Sequence, residues 1–220
     1  MAKRVVASDT AIAPVDDKAP VVRSLSGLRT AEDECRRCPL YKNATQAVPG
    51  EGPSHAKVML VGEQPGDKED LAGKPFVGPA GRVLDQALAD AGIPRAETFV
   101  TNAVKHFKFE PRGKRRLHKK PNTQEIERCH WWLGQERAIV KPELIVALGA
   151  TAARSLMGRV VTITKLRGEA LSLGDGTQLL VTIHPSALLR MQEEAEKRAA
   201  YAAFVKDLKI AARLVFRKAA

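Results

Sequence analysis

The chain has 220 residues, of which 44% are hydrophobic and 28% are charged. This size and composition suit a single globular domain with its own core, and no apolar run is long enough for a membrane-spanning helix. Lys and Arg total 36 against 25 Asp and Glu, so the net charge of +11 favours a polyanionic partner rather than a membrane. At the N-terminus, residues 1–21 mix acids and bases without an apolar signal core. We expect them to form a disordered tail before a single domain at 22–220.

Four short apolar runs are typical of buried strands and span residues 57–62, 98–104, 144–149 and 179–183. Segments with helical periodicity alternate with them and span residues 82–91, 122–139, 150–156 and 193–217. This alternation predicts an α/β fold, a three-layer α/β/α sandwich around a central four-stranded parallel sheet.

Polar residues follow the ends of the predicted strands, in the segments 63–67, 105–106, 149–151 and 184–186. Ligands of parallel sheets gather at the carboxyl ends of the strands, so we expect these segments to converge on one site.

The glycine-rich turns do not match a nucleotide-binding loop. Gly73-Lys74 is followed by Pro75, and no glycine stands five positions before Gly73. Gly78 and Gly81 do not complete a dinucleotide fingerprint. We therefore expect no nucleotide cofactor.

Cys35 and Cys38 form a C-x2-C pair, and the third cysteine, Cys129, lies far downstream. An odd number of cysteines argues against a secreted disulfide framework and indicates the reducing cytoplasm. Three thiolates need a fourth ligand. His106, beyond a strand end, suits this role better than His130, which would point about 100° away from Cys129 on a helix. Such a set could bind zinc or an iron–sulfur cluster, and ordinary buried thiols are the alternative.

Four linked segments carry a resemblance to the iron–sulfur uracil-DNA glycosylases. They are VGEQPG at 61–66, GKPFVGPAG at 73–81, TNAVK at 101–105 and HPSALLR at 184–190. The resemblance extends from about residue 29 to residue 216. It implies the uracil-DNA glycosylase fold, a role in repair of DNA damage, and hydrolase chemistry on a flipped base. It also implies a [4Fe–4S] cluster, whose ligands would be Cys35, Cys38, His106 and Cys129.

Two features of the chain depart from the ordinary members of that family. Both resemble its UdgX branch, whose members become covalently joined to uracil-containing DNA. His106 stands where the ordinary members have a cysteine, and a basic segment follows at 113–120. Leu117 replaces the isoleucine usual before the histidine of that segment. The resemblance implies a protein that reacts once and stays attached to DNA through His118.

Excision of uracil needs a pocket for the flipped base. We expect Phe76 to stack on uracil, Asn102 to read its edge, and His184 to donate to a carbonyl oxygen of the departing base. Gln64 and Asp67 share the turn after the first strand and are expected to shape the uracil site.

Glu63 follows the first strand directly, where a carboxylate can stabilise an oxocarbenium-like sugar. The nucleophile predicted to capture that sugar is His118, read as a loop residue. Nearby cations should keep its imidazole neutral and also hold DNA phosphates. These cations are Lys114, Arg115, Arg116, Lys119 and Lys120.

The segment after His184 supplies a second DNA-binding element. Ser186 and Arg190 are expected to contact DNA, and Leu188 or Leu189 to fill the space left by the flipped base. The alternative is an amphipathic helix start with its leucines in the core.

The sequence thus predicts a monomer that excises uracil, from single-stranded DNA by preference, and is trapped on the abasic sugar. In a prokaryote it would be cytoplasmic and associated with the nucleoid. Two alternatives remain open: a conventional glycosylase that turns over, and a non-enzymatic, metal-stabilised module that binds damaged DNA.

Overall fold

The computed structural model describes residues 3–4 and 22–216. The strands are β1 (Lys3–Arg4), β2 (Val58–Gly62), β3 (Thr98–Asn102), β4 (Phe109–Arg112), β5 (Arg115–His118), β6 (Leu144–Leu148), β7 (Ala170–Ser172) and β8 (Gln178–Thr182). The α-helices are α1 (Leu25–Asp33), α2 (Asp67–Ala72), α3 (Pro79–Ala91), α4 (Thr123–Val140), α5 (Ala150–Met157), α6 (Ile163–Leu166), α7 (Pro185–Leu189) and α8 (Glu194–Val215). Short 3-10 helices span Pro39–Lys42 and Arg95–Glu97.

The central sheet has the strand order β1-β7-β8-β6-β2-β3. The four strands predicted from the sequence, β2, β3, β6 and β8, are neighbours and run parallel, which confirms the predicted fold class. Two short strands extend one edge. β7 pairs antiparallel with β8, and β1 pairs with β7 in parallel. β1 falls within the segment predicted to be a disordered tail, and the rest of that segment lies outside the described residues.

Alternate residues of the buried strands face opposite layers of helices. Val58 and Leu60 of β2 belong to a core cluster that includes residues of α3, α7 and α8. Met59 and Val61 belong to a second cluster that includes residues of α4 and α5. Because both faces are covered, the strands are mostly apolar, and the polar residues Thr98 and Thr101 of β3 are buried as well. Among the described residues, no helix is both long and apolar enough to cross a membrane.

The basic segment at 113–120 is not a loop, and this prediction is wrong. Its residues form most of an antiparallel hairpin, β4–β5, in which Phe109 pairs with His118 and Arg112 with Arg115. Gly113 makes the turn at a φ of 58°, a conformation that favours glycine. The strands are charged and include Pro111, so they lack the apolar alternation by which strands are recognised. The hairpin is held by tertiary contacts instead.

Candidate active site

The strand-end segments converge as predicted. Glu63, directly after β2, accepts a hydrogen bond from the hydroxyl of Thr151, in the first turn of α5. The rings of Phe76 and His184 have centroids 5.9 Å apart. The end of the β4–β5 hairpin reaches the same place, since Nε2 of His118 lies 3.5 Å from Oε1 of Glu63. Thr151 was not among the predicted site residues, although its segment was among those expected to converge.

The amide of Gln64 fixes the hairpin against the end of β2. Its oxygen accepts from the main-chain N–H of Lys108 at 3.1 Å, which identifies the other end of the amide as the donor. That nitrogen faces the carbonyl oxygen of Lys119 at 2.9 Å and Nε2 of His118 at 2.8 Å. The Gln64 side chain is therefore engaged with the hairpin rather than free to face a base.

The same contact determines which nitrogen of His118 carries the lone pair. A donor amide opposite Nε2 requires Nε2 to accept, so the neutral ring has its proton on Nδ1. The side chain is 50% exposed. Its unprotonated nitrogen therefore lies beside Glu63 in a position that solvent can reach, which suits a nucleophile.

The pKa of His118 lies below its ordinary value of 6.5, which matches the predicted direction. The expected cause needs correction. Burial lowers the pKa most, and Arg190 lowers it further, whereas the Glu63 carboxylate raises it. The five cations of the basic segment are not among the causes, because their charged groups point outward or are paired with acids.

Arg116 shows this pairing most clearly. Its guanidinium donates to Asp67 at 2.7 Å and to the fully buried Asp70 at 2.6 Å. It also lies over the rings of Phe107 and Phe109, 5.4 and 5.1 Å from their centroids. Arg116 thus anchors the hairpin to α2 instead of facing phosphates. Asp67, predicted to shape the uracil site, is occupied by this pair.

The other four predicted cations lie on the surface of the hairpin and of the turn after it. Lys114 and Arg115 are exposed at the turn of the hairpin. Lys119 is exposed and pairs with Glu110 at 2.6 Å, whereas Lys120 is exposed and makes no ion pair with the described residues. The cations most available to bind a polyanion are therefore Lys114, Arg115 and Lys120.

Phe76 and Asn102, both predicted to bind uracil, lie against Gly62 at the end of β2. Phe76 adopts a positive φ of 56°, and a Cβ on Gly81 would overlap its carbonyl oxygen, so glycine is required at position 81. A Cβ on Gly62 would overlap both the Phe76 ring and the Asn102 amide. Glycine at the end of β2 therefore lets these two side chains meet.

Asn102 is 2% exposed, yet its side-chain amide makes no hydrogen bond to any described residue. Its amide atoms are not among the fully enclosed ones that lack a partner, so a ligand at the end of β2 can reach them. Its main chain is fixed, because Nζ of Lys105 donates to its carbonyl oxygen at 3.1 Å and to Glu136 at 2.7 Å. Glu136 was not predicted from the sequence, since nothing in the pattern of α4 distinguishes it from a surface acid.

His184 caps the N-terminus of α7. Its Nδ1 accepts from the main-chain N–H of Ser186 at 3.2 Å, so the neutral ring carries its proton on Nε2. Burial, then Arg190 and His118, lower the pKa of His184 to about 4. The ring therefore stays neutral at physiological pH and can act as a hydrogen-bond donor through Nε2.

Leu188 does not fill the space left by a flipped base, and that prediction is wrong. It is 2% exposed and packs in the core cluster between the sheet and α8. Leu189, named as the other possibility, is 46% exposed. Arg190 is exposed and donates to the hydroxyl of Ser186 at 3.1 Å.

The three cysteines are buried in one apolar cluster together with Trp132. Two sulfur atoms accept N–H hydrogen bonds of 3.1 Å: Cys129 from the main chain of Lys105, and Cys35 from the indole of Trp132. His106 is 3% exposed, and its Nδ1 has no hydrogen-bond partner. Within the described ranges, no three Cys, His, Asp or Glu side chains stand close enough together to hold one metal ion. The unpartnered Nδ1 of His106 is nevertheless free to bind a ligand.

Sequence comparison identifies the family of proteins to which this fold belongs. The sequence model of the uracil DNA glycosylase superfamily matches residues 49–209, and the chain belongs to that superfamily. A type-4 uracil-DNA glycosylase of Pyrobaculum aerophilum is 40% identical over 79% of this chain and 86% of its own length. Type-4 enzymes of Thermotoga maritima and Archaeoglobus fulgidus are 39% and 34% identical, over 75% and 74% of this chain and 83% of their own lengths. The predicted superfamily is thus confirmed, whereas the UdgX branch stays a prediction.

Proposed function

We propose that the protein cleaves the N-glycosidic bond of deoxyuridine in DNA and then remains bound to the sugar through His118. One observation carries the proposal: the unprotonated Nε2 of His118 lies 3.5 Å from the carboxylate of Glu63. The residue that would stabilise a sugar cation and the residue that would capture it are thus side by side.

Base recognition would use the three side chains of the pocket. Phe76 offers a stacking surface for a flipped uracil, and the unpartnered amide of Asn102 matches its donor and acceptor edge. Nε2–H of His184 would donate to a uracil carbonyl oxygen, where negative charge develops as the base departs. Gln64 and Asp67 would act indirectly, by holding the hairpin that closes the site.

The covalent step balances without a further reactant. The bond between C1′ and N1 breaks, and its electron pair leaves with uracil as an anion hydrogen-bonded to His184. The lone pair on Nε2 of His118 then forms a bond to the cationic C1′. Loss of the Nδ1 proton to solvent leaves a neutral N-alkylated imidazole, which is a poor leaving group. Glu63 stabilises the sugar cation between these events.

The proposed substrate is single-stranded DNA that contains uracil. The exposed cations of the hairpin, with Arg190, would contact phosphates, and the exposed Leu189 would fill the space left by the flipped base. We also propose that the enzyme acts as a monomer.

We further propose that Cys35, Cys38, His106 and Cys129 hold a [4Fe–4S] cluster. The unpartnered Nδ1 of His106, the shared apolar cluster of the cysteines and the N–H donors to two sulfurs support this assignment. When bound, the cluster would supply a structural cross-link between the segment after α1, helix α4 and the segment after β3.

A conventional glycosylase that turns over is the second candidate, favoured by the identity of up to 40% to type-4 enzymes. One experiment separates the two. The protein is mixed with a labelled uracil-containing single strand, with a thymine strand as control, and then denatured. A protein–DNA band that survives, with the sugar mapped to His118, supports trapping. Free abasic DNA in excess over protein supports turnover, and neither product would contradict both. A duplex of the same sequence tests the preference for single strands.

A further inference from the structure

A groove of about 440 Å³ lies between α3, α7 and α8, outside the site described above. Its floor is apolar and includes Pro79, Val83 and Leu188, with the exposed Leu189 at one side. Its rim is polar, with three cations and one acid: Arg82, Lys197, Arg198 and Glu194. A concave apolar surface of this size with a few polar groups at its edge is typical of a ligand site.

The groove adjoins the base pocket. Pro79 follows the stacking residue Phe76 by three positions, and Leu188 follows His184 by four. The rings of Phe76 and His184 lie 5.9 Å apart, so the two segments that carry the proposed base site continue directly into the lining of the groove. A strand whose uracil enters the pocket would therefore bring a neighbouring nucleotide to the groove.

The charge of the rim suits a phosphate. Arg82 and Arg198 are both exposed, and neither makes an ion pair with any described residue. Lys197 differs, since it lies 3.4 Å from Glu194. Two unpaired guanidinium groups therefore flank an apolar floor, an arrangement complementary to a nucleotide with its anionic phosphate and apolar base faces.

We propose that this groove binds the nucleotide next to the flipped uracil, with its base on the apolar floor and its phosphates on Arg82 and Arg198. The inference rests on the proposed function, because it takes uracil in the pocket as its reference point. A duplex keeps the neighbouring base stacked and paired, so a groove of this kind makes single-stranded DNA the better substrate.

The phosphate contacts are tested with Arg82→Ala/Arg198→Ala. The matched control is Lys206→Ala/Arg213→Ala, which removes the same charge from exposed residues of α8 away from the groove. The probe is a single strand whose uracil carries a 2′-fluorine, which disfavours the sugar cation and so prevents cleavage. Two lost phosphate contacts lower the slope of log K against log salt by about 1.4. Between 50 and 200 mM salt, the groove variant should therefore lose about sevenfold less affinity than the control.

The base contact is tested with two further probes, each with one abasic spacer. In the first probe the spacer replaces the nucleotide on one side of uracil, and in the second it replaces the nucleotide on the other side. One spacer should weaken binding of the unchanged protein several-fold, and the other should have little effect. Val83→Ser makes the groove floor polar and should reduce that sensitivity, with thermal unfolding measured to confirm that the fold is kept.

Equal salt slopes for the groove variant and its control, or insensitivity to both spacers, would overturn the inference. Binding of an acidic peptide to the groove would not alter that conclusion. Failure of the proposed function is visible separately, because an unmodified uracil strand would then yield neither free uracil nor an adduct with the unchanged protein.

Discussion

The guanidinium of Arg116 lies 2.6 Å from the carboxylate of Asp70, and this ion pair joins the β4–β5 hairpin to α2. Asp70 is fully buried, and its other oxygen accepts from the main-chain N–H of Thr45 at 3.0 Å. The hairpin that carries His118 is thus attached at one side by Arg116 and at its base by Gln64. The position of His118 depends on both contacts.

Arg116→Ala should therefore reduce adduct formation without touching the proposed nucleophile. Loss of the guanidinium leaves Asp70 short of a partner, which should lower the free energy of unfolding by about 1–3 kcal/mol. The rate of adduct formation at saturating DNA should fall at least tenfold, since His118 loses its fixed position. Arg115→Ala, an exposed neighbour of equal charge, is the control, and an equal loss in both variants would contradict the anchoring role.

His118→Ser should abolish the denaturation-resistant adduct and keep the fold. Serine is a weak nucleophile without a dedicated base, so water would capture the sugar cation instead. The variant should then release uracil with turnover, measured as free uracil in excess over protein. An undiminished adduct, or attachment mapped to Lys119 or Lys120, would exclude the histidine mechanism.

Arg190→Ala should raise the pH at which the reaction rate begins to fall as the solution becomes more acidic. Arg190 lowers the pKa of both His118 and His184, so its removal lets both pKa values rise towards 6.5. The reactive imidazole is the neutral one, and protonation as the pH falls consumes it. In the unchanged protein the rate at saturating DNA should begin to fall only below pH 6.5, whereas in the variant it should fall at a higher pH. Coincident pH profiles would show that Arg190 does not act on these rings.

Asn102→Ala should remove the preference for uracil. The edge of a buried base would then lack partners for its polar groups, and sites built on such hydrogen bonds discriminate strongly. Adduct formation should fall by two orders of magnitude or more, a loss of about 2.7 kcal/mol or more in transition-state stabilisation. Affinity for a uracil-free single strand, measured as a control, should stay the same. Unchanged reaction with uracil-DNA would place the pocket elsewhere.

His106→Cys should retain the proposed cluster, because thiolate is the usual ligand of iron–sulfur centres. The anaerobically prepared variant and the unchanged protein should both be yellow-brown and contain iron and sulfide. His106→Ala should lose iron and become less stable to heat. Stoichiometric zinc without sulfide in the unchanged protein would reject the cluster.

The central sheet could be predicted because each parallel strand is a mostly apolar run that ends in a glycine or polar turn. The site residues Glu63, Asn102 and His184 followed from the ends of those strands and from the family motifs. The hairpin could not be predicted, since Arg116 and Gln64 hold it through contacts with distant residues. Leu188 and Leu189 could not be distinguished either, because only packing against α8 decides which of two adjacent leucines is buried.

The ion pairs of Arg116 also change the local charge that approaching DNA meets beside the hairpin. Without the hairpin, Asp67 and Asp70 would present two uncompensated negative charges towards the phosphates. Arg116 neutralises this repulsion from within the fold, although it is not itself available as a DNA contact. A shortened chain that lacks residues 109–118 would therefore lose more than its nucleophile, since two acids of α2 would be left without their cationic partner.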